Sequence, residues 1–231
     1  MPKRIVPGSS YSLTFIFTIV NVAIFLVFFL ASYLLSFTGN ISASETLIRF
    51  IAVSPEWFVR GYFWTLVTSM FLHGSFLHLM VNMVSFFFLG TFVERLIGKK
   101  RFFWFYMLSG LIAGLFFVLF AYLGTYFSNG TAWFGSISDY AVGASGALFG
   151  LGGLLAVLLP NLRVLVFFII PMRLWLAMTV LLVGFWAMSI GADLPVGNTA
   201  HFGGLVAGLV YGFYLRTKYS KKVDMLNRMF K

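Results

Sequence analysis

The chain has 231 residues, of which 61% are hydrophobic, 20% aromatic and only 10% charged, with a formal net charge of +10. Soluble domains carry about 25% charged residues, so this composition excludes an ordinary soluble domain and indicates a polytopic α-helical membrane protein. The chain contains no cysteine, which excludes thiol catalysis, disulfide bonds and thiolate metal sites.

Six apolar segments are long enough, or nearly so, to cross a bilayer as helices, which takes about 20 residues. We predict spans at residues 13–37, 76–97, 102–127, 145–159, 174–190 and 199–215. The fourth is short, because about 15 helical residues rise only about 22 Å against a hydrocarbon thickness of about 30 Å. The pattern predicts an all-α bundle of six transmembrane helices that forms one domain over residues 1–231.

The segments between the spans differ in character. Residues 38–75 mix charged, aromatic and apolar residues, which favours short helices in the membrane interface over a further crossing. Residues 128–140 are rich in Ser, Gly and Thr and predict a loop. Residues 161–175 are apolar but contain two arginines and a proline, so we interpret them as a β-prone connector in the interface. A basic tail ends the chain.

The positive charges are distributed asymmetrically between the two sides of this predicted bundle. With the N-terminus in the cytoplasm, only Arg49 and Arg60 lie outside, and all other Lys and Arg residues lie inside. The inside set is Lys3, Arg4, Arg95, Lys99, Lys100, Arg101, Arg163, Arg173, Arg216, Lys218, Lys221, Lys222, Arg228 and Lys231. This asymmetry satisfies the positive-inside rule and predicts that both termini are cytoplasmic. The net charge is therefore a topology signal, and nucleic acid is not an expected partner.

Polar residues converge at the outer ends of spans two, four and six in this topology. His78 lies about three residues into span two, Ser145 begins span four, and His201 lies about three residues into span six. Asn82 follows His78 by one helical turn on the same face. Polar side chains are costly inside a membrane and mark functional sites there. A serine beside a histidine is a pair suited to nucleophilic catalysis.

Glycines at helical spacing follow both the serine and the histidine. Gly146 and Gly150 occur in span four, and Gly204, Gly208 and Gly212 occur in span six. Small residues at such spacing let two membrane helices approach closely. A Ser–His hydrogen bond of about 2.6–3.2 Å requires such an approach, so we expect spans four and six to pack together.

These residues resemble the rhomboid family of intramembrane serine proteases over nearly the whole chain. The similarity rests on HLMVN at residues 78–82, GASGALFG at residues 143–150 and AHFGG at residues 200–204, in this order and spacing. It implies the minimal six-helix prokaryotic form of the family. It also implies Ser145 as the nucleophile and His201 as the general base of a dyad that uses no metal or cofactor.

The resemblance extends to the residues around this pair. It implies that His78, Asn82 and Gly143 contribute to oxyanion binding, together with the backbone N–H of the nucleophile. Phe149 lies one helical turn beyond the serine, and we expect its ring to stack on the histidine and to orient it.

Three further polar residues have expected roles near helix ends. Asn198, three residues before the histidine, is expected to cap or orient the start of span six. Glu94 and the following Arg95 resemble a structural element of the family, for which we predict a helix-end salt bridge. His73 precedes span two and is expected to be a loop or interfacial residue rather than a catalytic one.

The function expected from these features is that of an intramembrane serine endopeptidase. Its substrates would be the transmembrane segments of other membrane proteins, and the lipid bilayer would be its second partner. We expect a multi-pass protein of the plasma membrane with its active site near the outer face. Two alternatives stay open, a catalytically silent rhomboid-like protein that binds membrane clients and a small transporter with a polar path.

Overall fold

The computed structural model describes residues 12–37, 41–127, 130–166, 169–192 and 197–230. Within these ranges the chain is mostly helical. The elements in chain order are α1 (Leu13–Phe37), α2 (Ile41–Ile51), α3 (Pro55–Val59), α4 (Thr65–Thr68), a 3₁₀ helix (Ser69–Phe71), α5 (Phe76–Ile97), α6 (Lys99–Gly124), α7 (Gly130–Phe134), α8 (Ser145–Leu158), β1 (Arg163–Val166), β2 (Ile170–Arg173), α9 (Leu174–Ala192), α10 (Asn198–Lys218) and α11 (Ser220–Arg228).

Four of the described helices, α1, α5, α6 and α9, are long and apolar enough to cross a membrane. Continuous apolar sequence favours helices because a bilayer offers no partner for backbone N–H and C=O groups. The bounds of α1 and α5 are those predicted, whereas α6 begins at Lys99, three residues earlier than predicted. The chain is therefore a multi-pass membrane protein. The expectations at Lys3, Arg4 and Lys231 lie outside the described residues.

The short fourth helix, α8, lies in the centre of the bundle. It has 14 residues, which corresponds to about 21 Å of rise, and nearly all of its residues are buried. Its most extensive packing is against α10, with further contacts to α6, α5 and α9. A helix that is apolar on all sides is suited to this position, because neighbouring helices surround it.

Glycines allow α8 and α10 to pack in direct backbone contact, as predicted. A Cβ atom on Gly204 would overlap the carbonyl oxygen of Gly146, and a Cβ atom on Gly208 would overlap that of Gly150. Because these contacts pair successive turns in the same order, the two helices run parallel. Their first residues consequently lie at the same end of the bundle, which we call the Ser145 end.

The carboxylate of Glu94 caps the start of α1, so its predicted role in a helix-end salt bridge is wrong. It accepts hydrogen bonds from the backbone N–H of Leu13 (2.9 Å) and Thr14 (2.9 Å), and from the Thr14 hydroxyl (2.8 Å). The first N–H groups of a helix lack intrahelical partners and carry partial positive charge, which a carboxylate satisfies. This contact joins the first turn of α1 to the last turn of α5, so the two helices are antiparallel.

The segments between the long helices agree with the predictions in part. Residues 41–71 form the predicted short helices, and residues 163–173 form an antiparallel hairpin in which Arg163 lies opposite Arg173. The predicted loop contains a short helix, α7, and the basic tail, for which no structure was predicted, forms α11. α11 forms because its Val223 is buried against the bundle while its charged residues are exposed.

Candidate active site

Ser145 and His201 form a hydrogen bond at the Ser145 end of the bundle. The distance between Ser145 Oγ and His201 Nε2 is 2.8 Å. Ser145 is the first residue of α8, and His201 lies in the first turn of α10. The parallel packing of these two helices therefore brings together residues that are 56 positions apart in the chain. A hydroxyl bonded in this way to a neutral imidazole can lose its proton to the ring as it attacks a carbonyl.

The ring of His201 is buried and held between aromatic side chains. Its exposed fraction is 7%, and Phe149 stacks on it with ring centroids 4.6 Å apart and planes inclined by 17°. The ring centroid of Phe185, in α9, lies 5.6 Å from that of His201. The Nδ1 atom of His201 has no hydrogen-bond partner among the described residues. The orientation of the imidazole thus depends on ring packing rather than on a carboxylate.

The stacking of Phe149 also bears on the charge that general-base chemistry creates. An imidazole that accepts the serine proton becomes a cation, and an aromatic face within about 6 Å of a cation attracts it. At 4.6 Å, the ring of Phe149 meets this condition. The predicted contact between Phe149 and His201 is present, and its part in catalysis stays a prediction.

His78 and Asn82 point toward the turn that precedes Ser145. A Cβ atom on Gly143 would lie 2.7 Å from His78 Nε2 and 3.4 Å from Asn82 Nδ2, so both donors adjoin the backbone of this glycine. Gly143 has φ +119°, a conformation that favours glycine. The amide nitrogen Nδ2 of Asn82 is buried and has no hydrogen-bond partner within the described part of the chain. An unsatisfied buried donor is rare in proteins and calls for an explanation such as a catalytic role.

The backbone N–H of Gly143 is not free to bind an oxyanion. It donates to the carbonyl oxygen of Ser69 at 2.8 Å, so the contribution of Gly143 in this conformation is space for the His78 and Asn82 side chains. The N–H of Ser145, by contrast, belongs to the first turn of α8, where N–H groups have no intrahelical acceptor. The positive end of the helix dipole also lies there, which favours a negative charge beside Ser145.

Backbone hydrogen bonds join the segment before Ser145 to the end of the α2–α3 connection and the start of α3. The backbones of Val53 and Ala141 exchange two hydrogen bonds, of 3.1 and 2.8 Å, and the N–H of Glu56 donates to Ile137 at 3.0 Å. These contacts hold the turn that carries Gly143. The sequence analysis missed them because backbone hydrogen bonds between distant loops have no residue signature.

Asn198 lies at the start of α10, but it is not the capping residue. The N-cap is Gly197, which has no side chain to form a capping hydrogen bond. Asn198 is 5% exposed and its Oδ1 has no hydrogen-bond partner among the described residues. The capping alternative is therefore wrong, and an orienting role for Asn198 stays a prediction.

His73 lies in the loop before α5, as expected, but it is buried rather than interfacial, with 1% exposure. Its ring meets that of His78 edge to face at 5.0 Å. Burial, and next the electrostatic effect of His78, lower the pKa of His73 to about 4, so the ring is neutral at physiological pH. His73 thus supports His78 by contact and adds no charge beside it. Across the described ranges, no group of three or more His, Asp or Glu is arranged to hold a metal ion.

A cavity of about 280 Å³ adjoins the start of α10. Its lining includes Trp133 of α7, Asp139, Ser189 of α9, and Asn198. Asn198 lies three residues before His201 in the same helical turn. The cavity therefore lies close to the first turn of α10, although neither Ser145 nor His201 lines it.

Fold and site together define a multi-pass membrane protein with a serine–histidine pair inside its helical bundle. The family model described as the Rhomboid domain matches residues 60–218. This match covers more than half of the chain, and the chain belongs to the rhomboid family.

Relatives in plants, bacteria and yeast agree with this assignment. The chain is 36% identical over 171 residues to RHOMBOID-like protein 5 of Arabidopsis thaliana, covering 74% of this chain and 50% of that protein. It is 30% identical over 194 residues to Rhomboid protease GluP of Bacillus subtilis, covering 83% and 33%. It is 31% identical over 167 residues to Rhomboid protein 1, mitochondrial, of Saccharomyces cerevisiae, covering 68% and 43%. The chain spans half or less of the length of these relatives.

Proposed function

We propose that the chain is an intramembrane serine endopeptidase with Ser145 as nucleophile and His201 as general base. The observation that carries this proposal is the 2.8 Å hydrogen bond between Ser145 Oγ and His201 Nε2. In the first step His201 Nε2 takes the hydroxyl proton while Oγ attacks the scissile carbonyl. The same proton then passes to the leaving amine, and water hydrolyses the acyl-enzyme by the reverse roles. The named rhomboid proteases among the relatives support the same chemistry at family level.

The oxyanion formed in these steps would be bound by Asn82, by His78 and by the backbone N–H of Ser145. Support comes from the buried, unpartnered Nδ2 of Asn82 and from the proximity of both α5 side chains to Gly143. Loss of one oxyanion donor typically costs about 10²–10³-fold in kcat. Asn82→Ala should therefore slow cleavage strongly without abolishing it.

We further propose six membrane spans, with α8 and α10 added to the four long apolar helices. The charge asymmetry favours cytoplasmic termini and a Ser145 end near the outer face. The membrane we propose is the plasma membrane. The short α8 suits this arrangement because its 14 residues allow Ser145 to lie below the surface of the bundle. Water can then reach the acyl-enzyme from the outer side. All parts act as one domain over residues 1–231.

The proposed substrates are single transmembrane segments of other proteins. A helical peptide bond is shielded by its own hydrogen bonds, so the segment must unwind locally before Ser145 can attack. We place the unwound chain next to the cavity that Asn198 lines, three residues from His201.

The test uses the purified full chain in liposomes with a single-span substrate. Ser145→Ala and His201→Ala should each reduce the cleavage rate to the background rate. Ser109→Ala is the matched control, because Ser109 is also buried, lies against α8 at Gly150 and has no hydrogen-bond partner for its hydroxyl. Cleavage that persists in either dyad variant would refute the assignment.

A fluorophosphonate probe separates an inactive protein from one offered the wrong substrate. Labelling of the wild type that requires both Ser145 and His201 supports an activated serine, whatever the substrate. Absence of labelling together with absence of cleavage would favour the silent client-binding alternative. Labelling at another residue would overturn the proposed nucleophile.

A further inference from the structure

Three cationic side chains converge on one tyrosine at the bundle end opposite Ser145. Arg101 Cζ lies 5.8 Å, Lys218 Nζ 5.9 Å and Lys222 Nζ 5.9 Å from the centroid of the Tyr219 ring. Arg101 also donates a hydrogen bond to the Tyr219 hydroxyl at 3.3 Å. We call Arg101, Lys218, Tyr219 and Lys222 the Tyr219 cluster.

Tertiary structure assembles this cluster from three helices. Arg101 lies in the first turn of α6, Lys218 ends α10, and Lys222 lies in the first turn of α11. α11 is fastened to the bundle because Asn227 Nδ2 donates to the carbonyl oxygen of Leu158 at 2.9 Å. The three cations are thus held near each other by packing that does not depend on their own charges.

No carboxylate among the described residues pairs with the Tyr219 cluster. The described ion pairs join Arg49 to Glu45 and Arg60 to Glu56, both between α1 and α5. Glu94, the acidic residue near this end of α5, is occupied by the N–H groups of α1. The three cations therefore repel one another, and an anion bound among them would relieve this repulsion.

The positive-inside rule does not explain the convergence. That rule concerns the number of Lys and Arg residues beside the spans, and it is satisfied equally well by cations that lie apart. A tyrosine ring that holds three cations within 6 Å is a more specific arrangement. Arg101 contributes a guanidinium, whose fork geometry suits phosphate oxygens.

The surroundings of the cluster indicate an anion that belongs to the membrane. Arg101, Lys218 and Lys222 are all exposed at the end of the apolar bundle. The apolar side chains of Met225 in α11 and of Met229, which follows this helix, are 62% and 75% exposed, as expected for an amphipathic helix at the boundary between headgroups and acyl chains. We propose that the Tyr219 cluster binds the phosphodiester of an anionic phospholipid with a headgroup like that of phosphatidylglycerol.

The experiment measures lipid binding and needs no cleavage, so its outcome is independent of the proposed function. The purified full chain in a nonionic detergent is titrated with phosphatidylglycerol or with phosphatidylcholine of the same acyl chains, and bound lipid is read by native mass spectrometry. Inorganic phosphate forms a third arm. We expect phosphatidylglycerol to bind several-fold more tightly than phosphatidylcholine, and phosphate alone to bind far more weakly than either.

Two variants of adjacent residues distinguish the cluster from a diffuse basic surface. Lys222→Gln removes one cation from the ring and should weaken phosphatidylglycerol binding about fivefold, the value for one Lys near an anionic surface. Lys221→Gln makes the same charge change on a residue that is not among the three cations over the ring. It should weaken binding much less than Lys222→Gln does, because an exposed charge outside the site acts on the lipid only through a screened, long-range attraction. Both residues are exposed, so both variants should fold.

Three results would overturn the proposal. Equal losses in the two variants would point to a diffuse basic surface. Equal binding of phosphatidylglycerol and phosphatidylcholine would exclude a site for an anionic headgroup. Tight binding of inorganic phosphate alone, lost in Lys222→Gln, would identify a site for a soluble anion instead of a lipid.

Discussion

The contact between Gly204 and Gly146 predicts a specific loss of activity in Gly204→Ala. The new methyl group would overlap the carbonyl oxygen of Gly146, whereas ordinary contact needs at least 3.4 Å. α10 must then move away from α8 by about 1.5 Å, and a misplacement of only about 1 Å already costs about 10²-fold in rate. The Ser145–His201 distance, now 2.8 Å, would rise to about 4.3 Å, beyond the reach of a hydrogen bond. Overpacking should also lower the free energy of unfolding by about 1–3 kcal/mol.

The assay compares initial cleavage rates, fluorophosphonate labelling rates and thermal unfolding in the same detergent. Gly184→Ala in α9 is the matched control, since a Cβ atom at Gly184 meets nothing within 4 Å. It should keep the wild-type rate, and helix propensity favours alanine there by about 1 kcal/mol. A folded Gly204→Ala protein that cleaves at close to the wild-type rate would refute the argument that direct backbone contact sets the dyad geometry. Equal rate losses in both variants would refute it as well.

Three further outcomes are expected. Glu94→Gln should lower the thermal unfolding temperature, because charge-assisted hydrogen bonds to the start of α1 are worth about 1.5–3 kcal/mol. The control Glu56→Gln, which changes an exposed ion pair, should leave that temperature unchanged. Equal shifts in both variants would contradict the role of Glu94 as the cap of α1. Phe149→Leu should reduce kcat by about 2- to 12-fold with little change in KM, since loss of a stacked ring costs about 0.5–1.5 kcal/mol. A change confined to KM would argue against a positioning role. The free energy of unfolding should fall as pH is lowered from 6.5 toward 4, because the folded-state pKa of His73 lies below its ordinary value and the unfolded chain binds the proton first. His73→Gln should reduce this dependence on pH by up to about 1.4 kcal/mol per pH unit. An unchanged pH dependence in the variant would show that other groups cause it.

The long apolar helices could be predicted closely because their signal is local. α1 and α5 have the predicted bounds, since apolar composition over about 20 residues is enough to specify a spanning helix. The start of α6 was harder to predict. Its first turn consists of charged residues, Lys99 among them, that a hydropathy argument assigns to the preceding turn.

Polar residues at helix ends were less predictable, because each could have several partners. Because Glu94 is next to Arg95 in the sequence, an ion pair was predicted there. The hydrogen-bond partners of Glu94 are instead backbone N–H groups about 80 residues away in the chain. Asn198 precedes the predicted start of span six at a position typical of a cap, yet it is the first residue of α10 and the cap is Gly197. In both places the choice depends on which groups the neighbouring helix presents, and this is a property of packing.

The sequence by itself determined that this chain is a membrane protein of the rhomboid type, because composition, charge asymmetry and three short motifs are local patterns. It also indicated that α8 and α10 would meet, since glycines leave no side-chain bulk between two helices. Only the tertiary structure decided that the meeting is close enough for a 2.8 Å hydrogen bond between Ser145 and His201. The contact between Arg101 and Tyr219 is likewise visible only in the tertiary structure. Distances between residues far apart in the chain depend on the packing of whole helices.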